Sequence, residues 1–299
     1  MHKRNRTVWR IATCLAAGLL CAAASGCGAA SDASPSANPT VVESLRAGGA
    51  AAGGQEEVVA ATGTGWGTLR GRFTFDGPPP SPGSLSAQIG PSDLAACGQH
   101  PIPNETLVVD ASSGGIANVV VYARKVTRVH ESAEELASQP AVFDQKECVF
   151  LSHVLPVQVG QTVLVKNSDP VAHNSNISPP GQNPFNPIIP GNGEVQYTFG
   201  KQQTEPVPVS CNIHSWMRAY IIPRKDPYVA VTAADGSFEI ANLPAGEEIE
   251  LQVWHERGAG GKGALIAGDI KTQGRYKFQL EEDGEHVLEV QVPLSAFKQ

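Results

Sequence analysis

Apolar and polar residues alternate one for one in several short stretches of this chain. Val157 and Val159, then Val163 and Val165, then Ile249, Leu251 and Val253 recur at every second position. That spacing places each set on one face of a strand, half-buried against a core. Segments 67–77 (GTLRGRFTFDG) and 116–126 (IANVVVYARKV) read as further strands. Asp235-Gly236, Pro244-Ala245-Gly246 and Asp283-Gly284 supply turn chemistry between the later ones. Only residues 129–138 (VHESAEELAS) read as a short helix. The pattern predicts an all-β protein built from β-sandwiches.

Composition agrees with that pattern. The chain has 299 residues with 31 glycines and 23 prolines, and only 17% of its residues are charged. That is enough chain for one or two cores and suits turn-rich sheets better than helical bundles. The formal charge is −7, and no Lys/Arg cluster lies beyond the N-terminus, so nucleic acid is not expected as a partner.

The pattern changes at the N-terminus. Lys3, Arg4, Arg6 and Arg10 precede an apolar stretch from Ile11 to Ala24, followed by Ser25 and Gly26. Residues 1–26 therefore read as an export signal, with an apolar part too short for a comfortable membrane span. Cys27 follows, and ASGC resembles the bacterial lipoprotein cleavage box, with Ala24 where Leu is more usual; lipid attachment to Cys27 is the expectation. Residues 27–63 carry Ala, Gly, Ser and Pro without periodicity and read as a flexible tether. The expected location is the periplasm or cell envelope, lipid-anchored.

Cys14 and Cys21 leave with the signal, so the folded part keeps Cys97, Cys148 and Cys211. In an oxidising compartment an odd count leaves one thiol with another task. Cys97 and Cys148 are expected to form a disulfide. Cys211 lies in PVSCNIHSWMRAYI, at even spacing with His214 and Met217. A thiolate, an imidazole and a thioether form a soft donor set that suits copper, with the Met as a weak axial ligand. A trigonal site needs one more imidazole, and His173 stands after a strand and turn in VLVKNSDPVAHN. C-x-x-H alone also occurs in zinc and haem sites, but the haem-attachment pair C-x-x-C-H is absent.

With these residues in place, residues 140–224 resemble the cupredoxins, the plastocyanin, azurin and amicyanin group. The resemblance implies a Greek-key β-sandwich over about residues 129–224 and one type 1 copper held by His173, Cys211, His214 and Met217. It also implies that Asn174 ties the two ligand loops together and hydrogen-bonds near the Cys211 sulfur. Electrons would leave through an exposed edge of His214, inside an apolar patch to which Trp216, Phe185, Ile188 and Ile189 could contribute.

The stretch DGSFEIANLPAGEEIEL resembles carboxypeptidase-regulatory, transthyretin-like sandwich modules. Their opening strands would have to come from 67–77 and 116–126. The expectation is a discontinuous sandwich of residues 64–128 and 225–299 with the copper domain inserted. Two consecutive domains remain the rival, with 67–126 supplying the first cupredoxin strands. GAGGKG at 258–263 lacks the Ser or Thr and the helix of a phosphate loop and reads as a hairpin. His255 with Glu256 is a weaker metal candidate. No hydrolase or metalloprotease motif and no H-x-H pair occurs, so no enzyme activity is expected. The function expected is one-electron transfer between redox proteins such as cytochromes or dehydrogenases. Copper handling without redox traffic, and a structural binding role, are the alternatives.

Overall fold

The computed structural model describes residues 63–298, so the signal, Cys27 and nearly all of the tether lie outside the described residues. The fold is all-β, as the alternation predicts, and among the described residues short helices occur only at Leu94–Cys97 and Ser132–Ser138 besides brief 3-10 turns. The second helix falls inside the predicted 129–138.

Two sheets hold one core. Trp66–Asp76 lies between Ser237–Pro244, antiparallel, and Glu285–Pro293, parallel. Val120–Ala123 lies between Val229–Val231 and Glu248–Trp254, with Arg275–Gln279 at the edge. Leu69, Phe73, Val121, Leu251, Val253, Val290 and Phe238 fill the space between them. Strands 67–77 and 116–126 thus pair with the C-terminal strands and not with those of residues 141–224.

Two further sheets hold a second core. Thr162–Asn167 lies between Ala141–Lys146 and Glu194–Thr198, and Val149–Phe150 extends that sheet. Arg218–Arg224 lies between Val154–Gln158 and Val207–Ser210, with Asn176–Ile177 beyond. Phe143, Val163, Val165, Ile177, Phe199, Val209 and Ile221 are buried between these sheets. Residues 85–102 pack on this second core through Cys97 and Ile102, although the sequence reading grouped them with the first sandwich.

The sandwiches meet at a seam of Val120, Tyr122, Val154, Ile222 and Trp254. Arg224 spans it: its buried guanidinium donates Nη2 to the Ala123 carbonyl at 2.6 Å and lies 4.8 Å from the Tyr122 ring. Its Nη1 donates to the Gln203 carbonyl at 3.3 Å and Asp226 lies 3.6 Å from Nη2, so cutting it to methionine would strip both carbonyls and leave a buried carboxylate without its cation.

Two histidines at the seam give it a pH dependence. His153 Nε2 hydrogen-bonds Glu256, and its Nδ1 lies 3.5 Å from a Glu105 carboxylate oxygen. Burial works against its charge, but the two carboxylates outweigh burial and push its pKa up to about 9. His255 is sealed from water, and burial, helped by the charges of His153 and Arg257, pushes its pKa down to about 3. Between the ordinary 6.5 and about 9, folded His153 keeps a proton that the unfolded chain has released, so rising pH costs stability. Between 6.5 and about 3, the unfolded chain takes a proton that folded His255 refuses, so falling pH costs stability. From this pair, thermal stability is expected to be greatest near pH 6.5. In His153→Gln the alkaline decline should flatten; an unchanged decline would remove His153 as its cause.

Candidate metal centre

The first ligand segment is folded by Asn167, the last residue of Thr162–Asn167. Its buried Nδ2 faces the carbonyls of Val171, Ile189 and Pro190 at 2.8, 3.0 and 3.1 Å, and its Oδ1 accepts from the Asp169 N–H at 3.0 Å. These bonds turn the chain through 168–172 and deliver His173–Asn174 onto Ile188–Ile189. Asn167→Ala would strip the amide from the Val171 and Ile189 carbonyls and the acceptor from the Asp169 N–H, while the Pro190 carbonyl keeps the Gly193 N–H at 3.0 Å. A loss of about 3 kcal/mol in chemical unfolding is expected; a loss under about 1 kcal/mol would show the turn to be held elsewhere.

The second segment is a hairpin loop. Ser210 pairs with Arg218, so Cys211 to Met217 leave and re-enter the sheet together. The loop closes on itself through Met217 N–H to the His214 carbonyl at 3.0 Å and Cys211 N–H to the Met217 carbonyl at 3.2 Å. Cys211, His214, Trp216 and Met217 are all buried in it, while Ile213 is 48% exposed.

The two segments bring their donor atoms together. His173 Nδ1 lies 2.8 Å from His214 Nδ1, and Cys211 Sγ lies 3.9 Å from that same His214 nitrogen. All three donor atoms fall within 4.8 Å of one another. Burial raises the Cys211 pKa, but the His214 ring and neighbouring backbone groups outweigh it and leave the thiol below its ordinary value. Two imidazole nitrogens and a thiol of eased ionisation converging in a buried space fit a borderline or soft cation. Met217 sits in the same core cluster, 2% exposed.

Asn174 joins the segments. Its Oδ1 accepts from the Asn212 N–H at 2.8 Å and lies 3.4 Å from Cys211 Sγ, while its Nδ2 donates to Asn186. The sulfurs of Cys97 and Cys148 are bonded at 2.04 Å, which leaves Cys211 as the free cysteine among the described residues.

Other expectations meet a different geometry. The His214 ring is buried, 3% exposed, where an exposed edge was expected. Trp216 and Ile189 also point inward, and Phe185 lies half-buried against Tyr197. The apolar side chains that do face solvent beside the ligand segments are Ile188, 70% exposed, and Ile213. Glu256 is engaged by His153, and His255 is sealed beside the Phe297 ring. That pair is therefore spent on packing and not on a metal.

Sequence reasoning overlooked Asp169 and the tethering role of Trp216. Asp169, Cys148 and His173 form a second close group of possible donors, but the Cys148 sulfur is committed to the disulfide. Asp169 remains as a partner of His173 Nε2, at 2.8 Å. Trp216 Nε1 donates to the Cys148 carbonyl at 3.0 Å, and its ring lies 5.2 Å from that of His214. A carboxylate four residues before a candidate ligand, across one turn, was the available signal for Asp169.

No protein-family model and no curated protein matches the chain. Among solved structures it is similar to a copper-containing nitrite reductase from Thermus scotoductus SA-01, at 24% identity and TM-score 0.27. That likeness covers 29% of this chain and 22% of the reductase, about a fifth of its length. It is also similar to a reduced Cu(I) form of an amicyanin variant, at 22% identity over 30% of this chain and 88% of that one, TM-score 0.27. Amicyanin from Paracoccus versutus shows 18% identity over 35% of this chain and 97% of its own, TM-score 0.26. The comparisons give no support to the transthyretin-like resemblance, and at these scores they leave the argument to the donor atoms themselves.

Proposed function

We propose that this protein holds one type 1 copper between His173, Cys211, His214 and Met217 and passes single electrons between redox proteins. The observation that carries the reading is the convergence of the His173, Cys211 and His214 donor atoms in a buried space. Copper bound there would supply a one-electron couple.

The chain's own residues do the rest. The buried ligand segments exclude water, which favours outer-sphere electron transfer over substrate binding. The Asn174 bridge and the loop closure through Met217 hold the ligands in one arrangement. Little rearrangement on changing oxidation state is what a carrier needs. Ile188 and Ile213 offer the apolar surface through which a redox partner would approach. The exported location, the lipid on Cys27, and partners such as cytochromes or dehydrogenases belong to the same proposal. So does the insertion of the copper domain (129–224) into a discontinuous sandwich of 64–128 and 225–299, supported by strands from either side of residues 141–224 pairing with one another.

The test is the visible spectrum of the purified protein after addition of Cu(II), followed by reduction. An intense thiolate-to-Cu(II) absorption that bleaches on reduction is the result expected. A colourless protein, or one preferring Zn(II) without a redox response, would sink the carrier reading.

A further inference from the structure

We infer that Asp169 is the positioning residue that holds His173 in its metal-binding tautomer, and that the Cys148 hairpin holds Asp169; this rests on the copper reading above. The Asp169 Oδ2 accepts from His173 Nε2 at 2.8 Å and from the Cys148 N–H at 2.9 Å, and its Oδ1 accepts from the Glu147 N–H at 2.7 Å. A carboxylate only accepts, so the hydrogen sits on His173 Nε2. The lone pair is thereby left on Nδ1, the nitrogen facing His214. Carboxylate partners of this kind fix ring orientation and tautomer in metal-ligating histidines.

The hairpin gives the carboxylate a firm seat. Lys146 pairs with Val149, so Glu147 and Cys148 alone form the turn, and both have positive φ, 56° and 57°. Neither is glycine, and such a turn is strained unless its surroundings hold it. Asp169 holds it by taking both N–H groups, and the disulfide pins Cys148 to Cys97. The same turn takes the Trp216 indole N–H on its Cys148 carbonyl. One turn therefore sets the position of both ligand segments: His173 through Asp169, and the Cys211–Met217 loop through Trp216.

The inference differs from a plain turn-capping role for Asp169 in what it predicts for the His173 ring. The experiment is proton–nitrogen correlation NMR on the full chain with ¹⁵N-labelled histidine, metal-free, with His173 assigned by its loss in His173→Gln. The same preparations are titrated with Cu(II). Wild type is expected to show His173 protonated on Nε2. Asp169→Ala should show a tautomer mixture and bind Cu(II) about 10–100-fold more weakly, the usual cost of losing an outer partner. The wild-type tautomer decides the matter if the alanine variant does not fold. A folded Asp169→Ala with unchanged tautomer and unchanged affinity would overturn the inference, as would a wild-type His173 protonated on Nδ1. A wild type with the Nε2–H tautomer, lost in Asp169→Ala, that binds no copper would sink the copper reading alone. It would leave Asp169 as the group that sets the His173 ring.

Discussion

Cys211→Ala is expected to give a folded protein that no longer develops the visible band on addition of Cu(II). Cys211 is the free cysteine among the described residues, so no other thiolate there can take its place. Its sulfur lies 3.9 Å from His214 Nδ1 and accepts from the His214 N–H at 3.4 Å. The substitution removes the soft donor and leaves two imidazoles, a pair that still attracts copper but without charge transfer from sulfur. The affinity should fall by at least about 100-fold, beyond the 10–100-fold cost of disturbing an outer partner. Thermal unfolding of the metal-free variant should stay close to wild type, because the lost atom is small and its hydrogen bonds are weak. A variant that still turns blue would place the colour, and the copper, somewhere else in the chain.

Replacing Cys97 and Cys148 together by alanine is expected to produce the largest loss of stability. The bond closes a span of 51 residues, and constraining an unfolded chain over that length is worth about 4 kcal/mol. The bond also fastens the short helix Leu94–Cys97 and Ile102 to the second core, against which Leu85, Ile89 and Ala96 are only partly buried. The turn at Glu147–Cys148 loses its covalent support while keeping its positive φ values. Chemical denaturation of the metal-free double variant should therefore show a midpoint well below wild type. Copper affinity should fall with it, because Asp169 and Trp216 both rest on that turn. A stability loss below about 1 kcal/mol would mean that the segment around Cys97 is held by packing alone.

Much of the fold was legible in the sequence. Alternation at Val163 and Val165 or at Leu251 and Val253 predicts strands because the side-chain period of a strand is two, and all four residues are buried. The turns at Asp235-Gly236 and Asp283-Gly284 were legible for a local reason as well: both glycine-containing pairs suit tight reversals. The Cys211, His214 and Met217 group was visible because one short loop carries it, so sequence spacing and spatial spacing are nearly the same thing.

The rest depends on distances that no local pattern encodes. His173 meets His214 only because Asn167 turns the chain through 168–172 and His173–Asn174 pairs with Ile188–Ile189. The burial of His214 and Trp216, where an exposed edge was expected, follows from how the loop folds over the second core. Residue type was ambiguous there, since an aromatic beside a ligand serves a surface or a core equally well. Residues 85–102 join the second core through a covalent bond and the burial of Ile102, not through any periodicity of their own. The sequence by itself determined the strands, the turns and the chemical character of the donors, because these follow from residue type and near-neighbour spacing. Only the tertiary structure decided that Asp169, the Cys148 turn and Trp216 support those donors, because the bonds from Cys148 to Asp169 and to Trp216 join positions 21 and 68 residues apart.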